Sequence, residues 1–195
     1  MFAIHGIFEA IFRPGVVIIR PNRTTITPHY ALPGLKIALK SPRSGKRQQT
    51  LGGACDWQVP AEIGILDVEL TDVGRADPIF AGLAKRQKCL QWHSVCVSQA
   101  PEGAEILARS DICNIQAMRV GEQAWSMQYH VELEPDTVAN WGEIPAYAQA
   151  LQKSLGPDGL ATMKSQSDAH MSDFVSSAEK LYRNFMDTIS QPNAL

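Results

Sequence analysis

A chain of 195 residues with 45% apolar side chains is long enough to bury a sizeable core and reads as one soluble domain. No stretch approaches the roughly 18 consecutive apolar residues of a membrane-spanning helix. Four cysteines with neither a C-x-x-C word nor metal-ligand spacing point to reduced thiols in a cytoplasmic protein, so neither a disulfide framework nor a metal or other cofactor is expected.

The apolar start Met1 to Phe8 is interrupted by Glu9 and lacks a basic lead-in and a cleavage site, so a signal peptide is not expected. The formal charge of -2 conceals an asymmetry. Residues 1 to 50 carry eight Lys or Arg against the single acid Glu9, a formal +7, and the remainder carries -9. This basic segment has three readings: a solvated extension, an arm attracted to nucleic-acid phosphates, or a stretch arising from a disrupted or misassigned reading frame. It lacks the aromatic residues interleaved among Lys and Arg that would favour nucleic acid. Val16-Val17-Ile18-Ile19 reads as one short strand inside it.

From Leu51 the pattern becomes regular. Ile65 to Leu70 alternates as a strand, with Leu66, Val68 and Leu70 on one face. A turn from Gly74 to Pro78 follows. Lys88 to His93, Glu105 to Ala108 and Ile115 to Val120 read as three further strands, and Gly121-Glu122 turns the chain into a last one, Ala124 to Tyr129. Pro145 suits the first turn of a helix that stops at Gly156. A longer helix carries Phe174, Ala178, Leu181, Tyr182, Phe185, Met186 and Ile189 at three- and four-residue spacing, a stripe that packs on the sheet.

The candidate chemistry sits where the last strand ends, in Gln128-Tyr129-His130-Val131-Glu132. Residues two apart on a strand point to one side, so the Glu132 carboxylate can hold the His130 imidazole in one tautomer and favour its protonated form. That is half of a hydrolytic triad, whose nucleophile is expected upstream.

The words Leu51-Gly52-Gly53, Glu62-Ile63-Gly64, Asp77 to Leu83, Gln91-Trp92-His93, Ala104 to Ser110, Gln116-Ala117-Met118-Arg119 and Gln128 to Glu132, in this order, closely resemble the class I glutamine amidotransferases, above all their stand-alone GMP synthase-like branch. The resemblance covers roughly residues 51 to 142, and Ala178 to Phe185 is also typical. It implies an open, mainly parallel α/β sheet flanked by helices, flavodoxin-like, N-terminally incomplete here. The amidotransferase-like domain is expected over residues 51–195, after the atypical segment 1–50. It further implies a cysteine in a G-x-C-x-G-x-Q elbow that attacks the side-chain amide of glutamine, with His130 and Glu132 as the catalytic pair that activates it. His130 would then protonate the departing ammonia.

This chain departs from that pattern at the elbow. The corresponding register falls near Ser41 in Leu39 to Lys46, where no G-x-C-x-G occurs and Pro42 removes an N–H that an oxyanion hole would use. Cys55 is the alternative nucleophile, although it follows the elbow helix of the family pattern. Cys89 and Cys113 read as core, and Cys96 as a half-buried structural thiol. In the family, the loop after Gln-Trp-His borders the glutamine pocket, which makes His93 a substrate-binding candidate beside its reading as a hydrogen-bonded structural residue. His5, His29 and His170 read as surface residues.

Two functions stand beside each other, and the lack of an elbow cysteine favours the second for this polypeptide, an amidotransferase-like chain expected to be catalytically impaired. One is a glutamine amidotransferase or γ-glutamyl hydrolase with a relocated cysteine, glutamine as its substrate and an ammonia-accepting synthetase as its partner. The other is a non-catalytic, partner-binding pseudoenzyme of the same fold. A sheet lacking its first strands would expose an edge, so homodimerisation is an expectation.

Overall fold

The computed structural model describes residues 17–19, 53–122 and 124–190. Ser41, Leu51-Gly52 and the basic segment apart from Val17–Ile19 lie outside the described residues. β1 (Val17–Ile19) agrees with the strand expected there. It is followed by β2 (Ala54–Leu70), β3 (Arg86–Gln99), β4 (Ala104–Arg109), β5 (Ala117–Val120) and β6 (Ala124–Met127). Five helices complete the described chain: α1 (Asp72–Ala76), α2 (Thr137–Gly142), α3 (Pro145–Leu155), α4 (Gly159–Ala169) and α5 (Met171–Ser190).

The fold is α/β, as expected, but the mainly parallel sheet is corrected: every strand pairing among the described residues is antiparallel. The order is β1-β6-β5-β4-β2-β3. The reason lies in connection length, because a parallel pair needs a crossover of a dozen or more residues. Residues 110–116 join β4 to β5, and residues 121–123 join β5 to β6, which leaves room only for reversals in these two pairs. The sheet also curls. Past β6 the chain leaves β5 and pairs through His130 with Leu90 of β3, near the opposite edge of the strand order.

The expected turn at Gly74 to Pro78 is more ordered than a turn. Thr71 caps α1, its hydroxyl accepting the Gly74 N–H at 2.9 Å, and Asp77 caps a 3-10 turn at Pro78–Phe80 by accepting the Ile79 N–H at 3.0 Å. Glycine is required at 74 because a Cβ there would stand 1.9 Å from the Leu107 carbonyl oxygen of β4. Gly156 ends α3 at φ 80° as expected.

Two apolar clusters flank the sheet. In one, Val68, Leu70, Cys89, Leu107, Trp125, Tyr129 and Val131 pack with Leu181 and Phe185 of α5. In the other, Ile63, Ile65, Leu90 and Trp92 pack with Val138, Leu151, Met163 and Phe174 of α2 to α5. Phe174, Ala178, Leu181, Phe185 and Met186 of the α5 stripe therefore pack inward, as their spacing predicts, whereas Tyr182 is exposed. A third, smaller cluster joins Cys55 and Val97 to Met118 and Val120. No helix among the described residues is long and apolar enough to cross a membrane.

Candidate functional site

The His130 and Glu132 side chains meet. Val131 turns into the apolar cluster under α5, which leaves its two neighbours on the other side of the extended chain. Leu90 and His130 exchange both backbone bonds, at 2.9 and 3.0 Å. The ring therefore stands at a fixed point against β3. His130 Nδ1 donates to Glu132 Oε1 at 2.5 Å, and the other carboxylate oxygen accepts the Val131 N–H at 3.0 Å. Trp141 of α2 packs against the ring edge, with centroids 5.1 Å apart at 84°.

The electrostatics of the pair agree with its geometry. Crowding by protein disfavours the Glu132 charge, but the His130 hydrogen bond and charge, with the backbone N–H groups of Glu132 and Val131, outweigh it and hold the carboxyl below its usual value. An ionised Glu132 fixes the His130 proton on Nδ1 and leaves Nε2 as the basic nitrogen. Nε2 has no hydrogen-bond partner among the described residues. The imidazole side chain is 14% exposed.

All four cysteines of the chain lie among the described residues, and none is placed at His130. Cys55 stands opposite Val97 on β3, seven residues from Leu90, on the order of 20 Å along the sheet at about 3.3 Å per residue. Its thiol is pushed up to about 11 by burial and by the nearby Cys96 and Asp56. Cys89 adjoins Leu90 on β3 and so faces away from the side that His130 shares; burial, then Glu132 and Asp67, raise its thiol well above the usual range. Cys113, pushed up to about 12 mainly by burial, meets Gln128 Oε1 at 3.9 Å and the Ile115 carbonyl at 3.5 Å. Cys96, opposite Asp56, is half-buried and also raised by burial. These are thiols, not thiolates, at neutral pH.

His93 is 6% exposed and opposes Glu62 across the β2–β3 pair. Its Nε2 faces two acceptors, Gln91 Oε1 at 2.9 Å and Glu62 Oε2 at 3.3 Å, and its Nδ1 faces Gln128 Nε2 at 3.0 Å. Both ring nitrogens are thus engaged inside the protein. Glu62, 2% exposed, also accepts from Ser110 Oγ at 2.5 Å, from Gln116 Nε2 at 2.7 Å and from Gln58 Nε2 at 3.2 Å. Burial opposes its ionisation; the bonds from His93, Ser110 and Gln58 prevail and keep the carboxyl low. A bulge between Trp57 and Glu62 returns Gln58 toward the carboxylate.

Sequence reasoning singled out His130, Glu132 and His93 but missed this polar network and the Trp141 edge. The signal for the network was present in Glu62, Gln91, Gln116 and Gln128, polar side chains inside otherwise apolar strand words. A separate cleft of about 260 Å³, lined by Asp67, Glu69, Arg86, Arg109, Ser110, Asp111 and Asn114, holds surface ion pairs and lacks His130. The described residues contain no group of three side chains arranged to hold a metal ion.

No protein-family model matches the chain. It is 33% identical over 85 residues to the glutamine-hydrolyzing GMP synthase of Clostridium perfringens, covering 43% of this chain and 16% of that protein. It is 34% identical over 84 residues to the glutamine-hydrolyzing GMP synthase of Lactobacillus gasseri, covering 43% of this chain and 16% of that protein. The match therefore spans well under half of either relative. Among solved structures, a glutamine amido transferase of Methylobacillus flagellatus superposes with a TM-score of 0.60 at 20% identity, over 73% of this chain and 59% of that one. A glutamine amidotransferase of Thermotoga maritima gives 0.59 at 20% identity, over 72% and 56%. At this identity the structural likeness is one of fold.

Proposed function

We propose, proceeding from the chain's place among the GMP synthase-like class I glutamine amidotransferases, that His130 and Glu132 form the acid/base pair of a glutamine-hydrolysing site in a polypeptide that is itself catalytically impaired. The observation that carries the first half is the 2.5 Å bond from His130 Nδ1 to Glu132, with Nε2 left unengaged by the described residues. In the reaction such a pair serves, Nε2 takes the proton of an attacking thiol and returns it to the departing ammonia. The second half rests on the cysteines. The nearest in sequence to the pair, Cys113, points to Gln128, and the others lie on the far face or far along the sheet.

Glutamine is the ligand this reading assigns to the site, and an ammonia-accepting synthetase the partner. An ammonia-release assay of the full chain with glutamine, beside Cys55→Ser and His130→Ala variants, tests the reading. The expected result is release from the wild-type chain no greater than from His130→Ala. Turnover lost in both variants would show that Cys55 is a working nucleophile and overturn the impairment.

A further inference from the structure

Gln128 occupies the point where the chain changes partner strands. Its backbone N–H donates to the Gln116 carbonyl at 2.8 Å, on the β5 side, whereas two residues later His130 exchanges both backbone bonds with Leu90 of β3. The Gln128 side chain already reaches β3: its amide nitrogen donates to the Val95 carbonyl and lies 3.0 Å from His93 Nδ1. The main chain of this residue is thus held on one strand and its side chain on another, 4% exposed.

The donors and acceptors here have one consistent assignment. A backbone carbonyl only accepts, so the Gln128 group facing Val95 is the NH2, and His93 Nδ1 must then accept from it. The His93 proton lies on Nε2, where Gln91 Oε1 and the Glu62 carboxylate receive it. The Glu62 end is fixed in turn by Ser110 and Gln116. Gln128 Oε1 faces the Cys113 thiol at 3.9 Å, a weak donor whose single S–H also meets the Ile115 carbonyl at 3.5 Å.

We propose that Gln128 is a positioning residue for the His130–Glu132 pair, acting through the clamp that Val95 and a neutral, Nε2-protonated His93 place on its side-chain amide. It sets the direction in which the chain leaves β6, and so the point at which His130 docks on Leu90 with its Nδ1 turned to Glu132. This role rests on reading His130 and Glu132 as the acid/base pair. The clamp also gives His93 a role other than contact with substrate, and it explains a glutamine where the flanking residues Met127 and Tyr129 belong to the apolar core.

The test is imidazole-nitrogen NMR of the full chain with labelled histidine at pH 8, which reads ring protonation without any turnover. A failure of glutamine hydrolysis and a failure of positioning are therefore seen separately. In the wild-type chain His130 should show a proton held on Nδ1 and His93 a proton held on Nε2. Gln128→Met, close in volume, should erase the separation between the His130 ring nitrogens, averaging them as in a free histidine. Val120→Ala, which loosens the apolar cluster of Cys55 and Met118, should leave it intact. An unchanged His130 spectrum in Gln128→Met, or equal loss in Val120→Ala, overturns the proposal. If Gln128→Met does not fold, the wild-type spectrum decides, because a proton on His93 Nδ1 excludes the clamp.

Discussion

Glu62 and Glu132 are two carboxylates kept ionised by different means. Glu132 is 43% exposed and depends on one imidazole and backbone N–H groups, whereas Glu62 is 2% exposed and is surrounded by four side-chain donors. Their replacement should therefore have different consequences. Glu62→Gln turns an NH2 toward donors that need an acceptor, and each buried unsatisfied group costs about 1–3 kcal/mol. We expect a loss of about 2–4 kcal/mol of stability, read as a lower denaturation midpoint at unchanged slope. Glu132→Gln removes a partly exposed pair and should lower stability by no more than about 1 kcal/mol. Its effect should fall instead on the His130 tautomer. A Glu62→Gln protein as stable as wild type would remove the network as a source of order.

At the scale of elements, strand positions were legible and their pairing was not. Alternation at Leu66, Val68 and Leu70 marked β2, and the turn at Gly121 marked the reversal into β6, because period-two patterning follows from burial of one face. The expected parallel sheet came with the family resemblance, whereas the short connections at residues 110–116 and 121–123 permit only antiparallel neighbours. The upstream half of β2 was also missed, since Gln58, Pro60 and Glu62 break the alternation with a bulge and a buried charge. The pair at the site was legible because it needs only local geometry. The clamp on Gln128 was not, since it joins residues 33 and 35 apart. Gly74→Ala tests how tightly α1 docks on β4: a Cβ 1.9 Å from the Leu107 oxygen forces backbone movement costing about 1–3 kcal/mol or more. Phe185→Ala, which removes the ring packed edge-on to Trp125 at 6.4 Å, should cost about 3–5 kcal/mol. Equal-to-wild-type thermal unfolding of either variant would contradict this packing.

For the molecule as a whole, the buried polar network around Glu62 and the His130–Glu132 pair make stability depend on pH. Both Glu62 and Glu132 have folded-state values below their ordinary ones. A carboxyl depressed by folding binds its proton less readily in the native state, so the unfolded chain takes up more protons as pH falls. The stability these groups contribute is accordingly present above the unfolded carboxyl value of about 4.3 and is lost as pH descends through their folded values. Glu69 is also lowered, first by its hydrogen bond to Lys85 and further by the charges of Lys85 and Arg109, but it lies at the surface, where salt screens such pairs. Thermal unfolding followed from pH 7 to pH 3 should therefore show a plateau that gives way below about pH 4.5. Added salt should diminish the Glu69 share of the fall and leave that of Glu62, whose partners are buried. In Glu62→Gln the acid limb should be shallower, since that position no longer titrates. A melting temperature that rises on acidification, or an acid limb unchanged in Glu62→Gln, would mean that the buried carboxylate is already protonated near neutral pH. His93 would then face a carboxylic acid in place of an anion, and the tautomer that holds Gln128 would lose its charged acceptor.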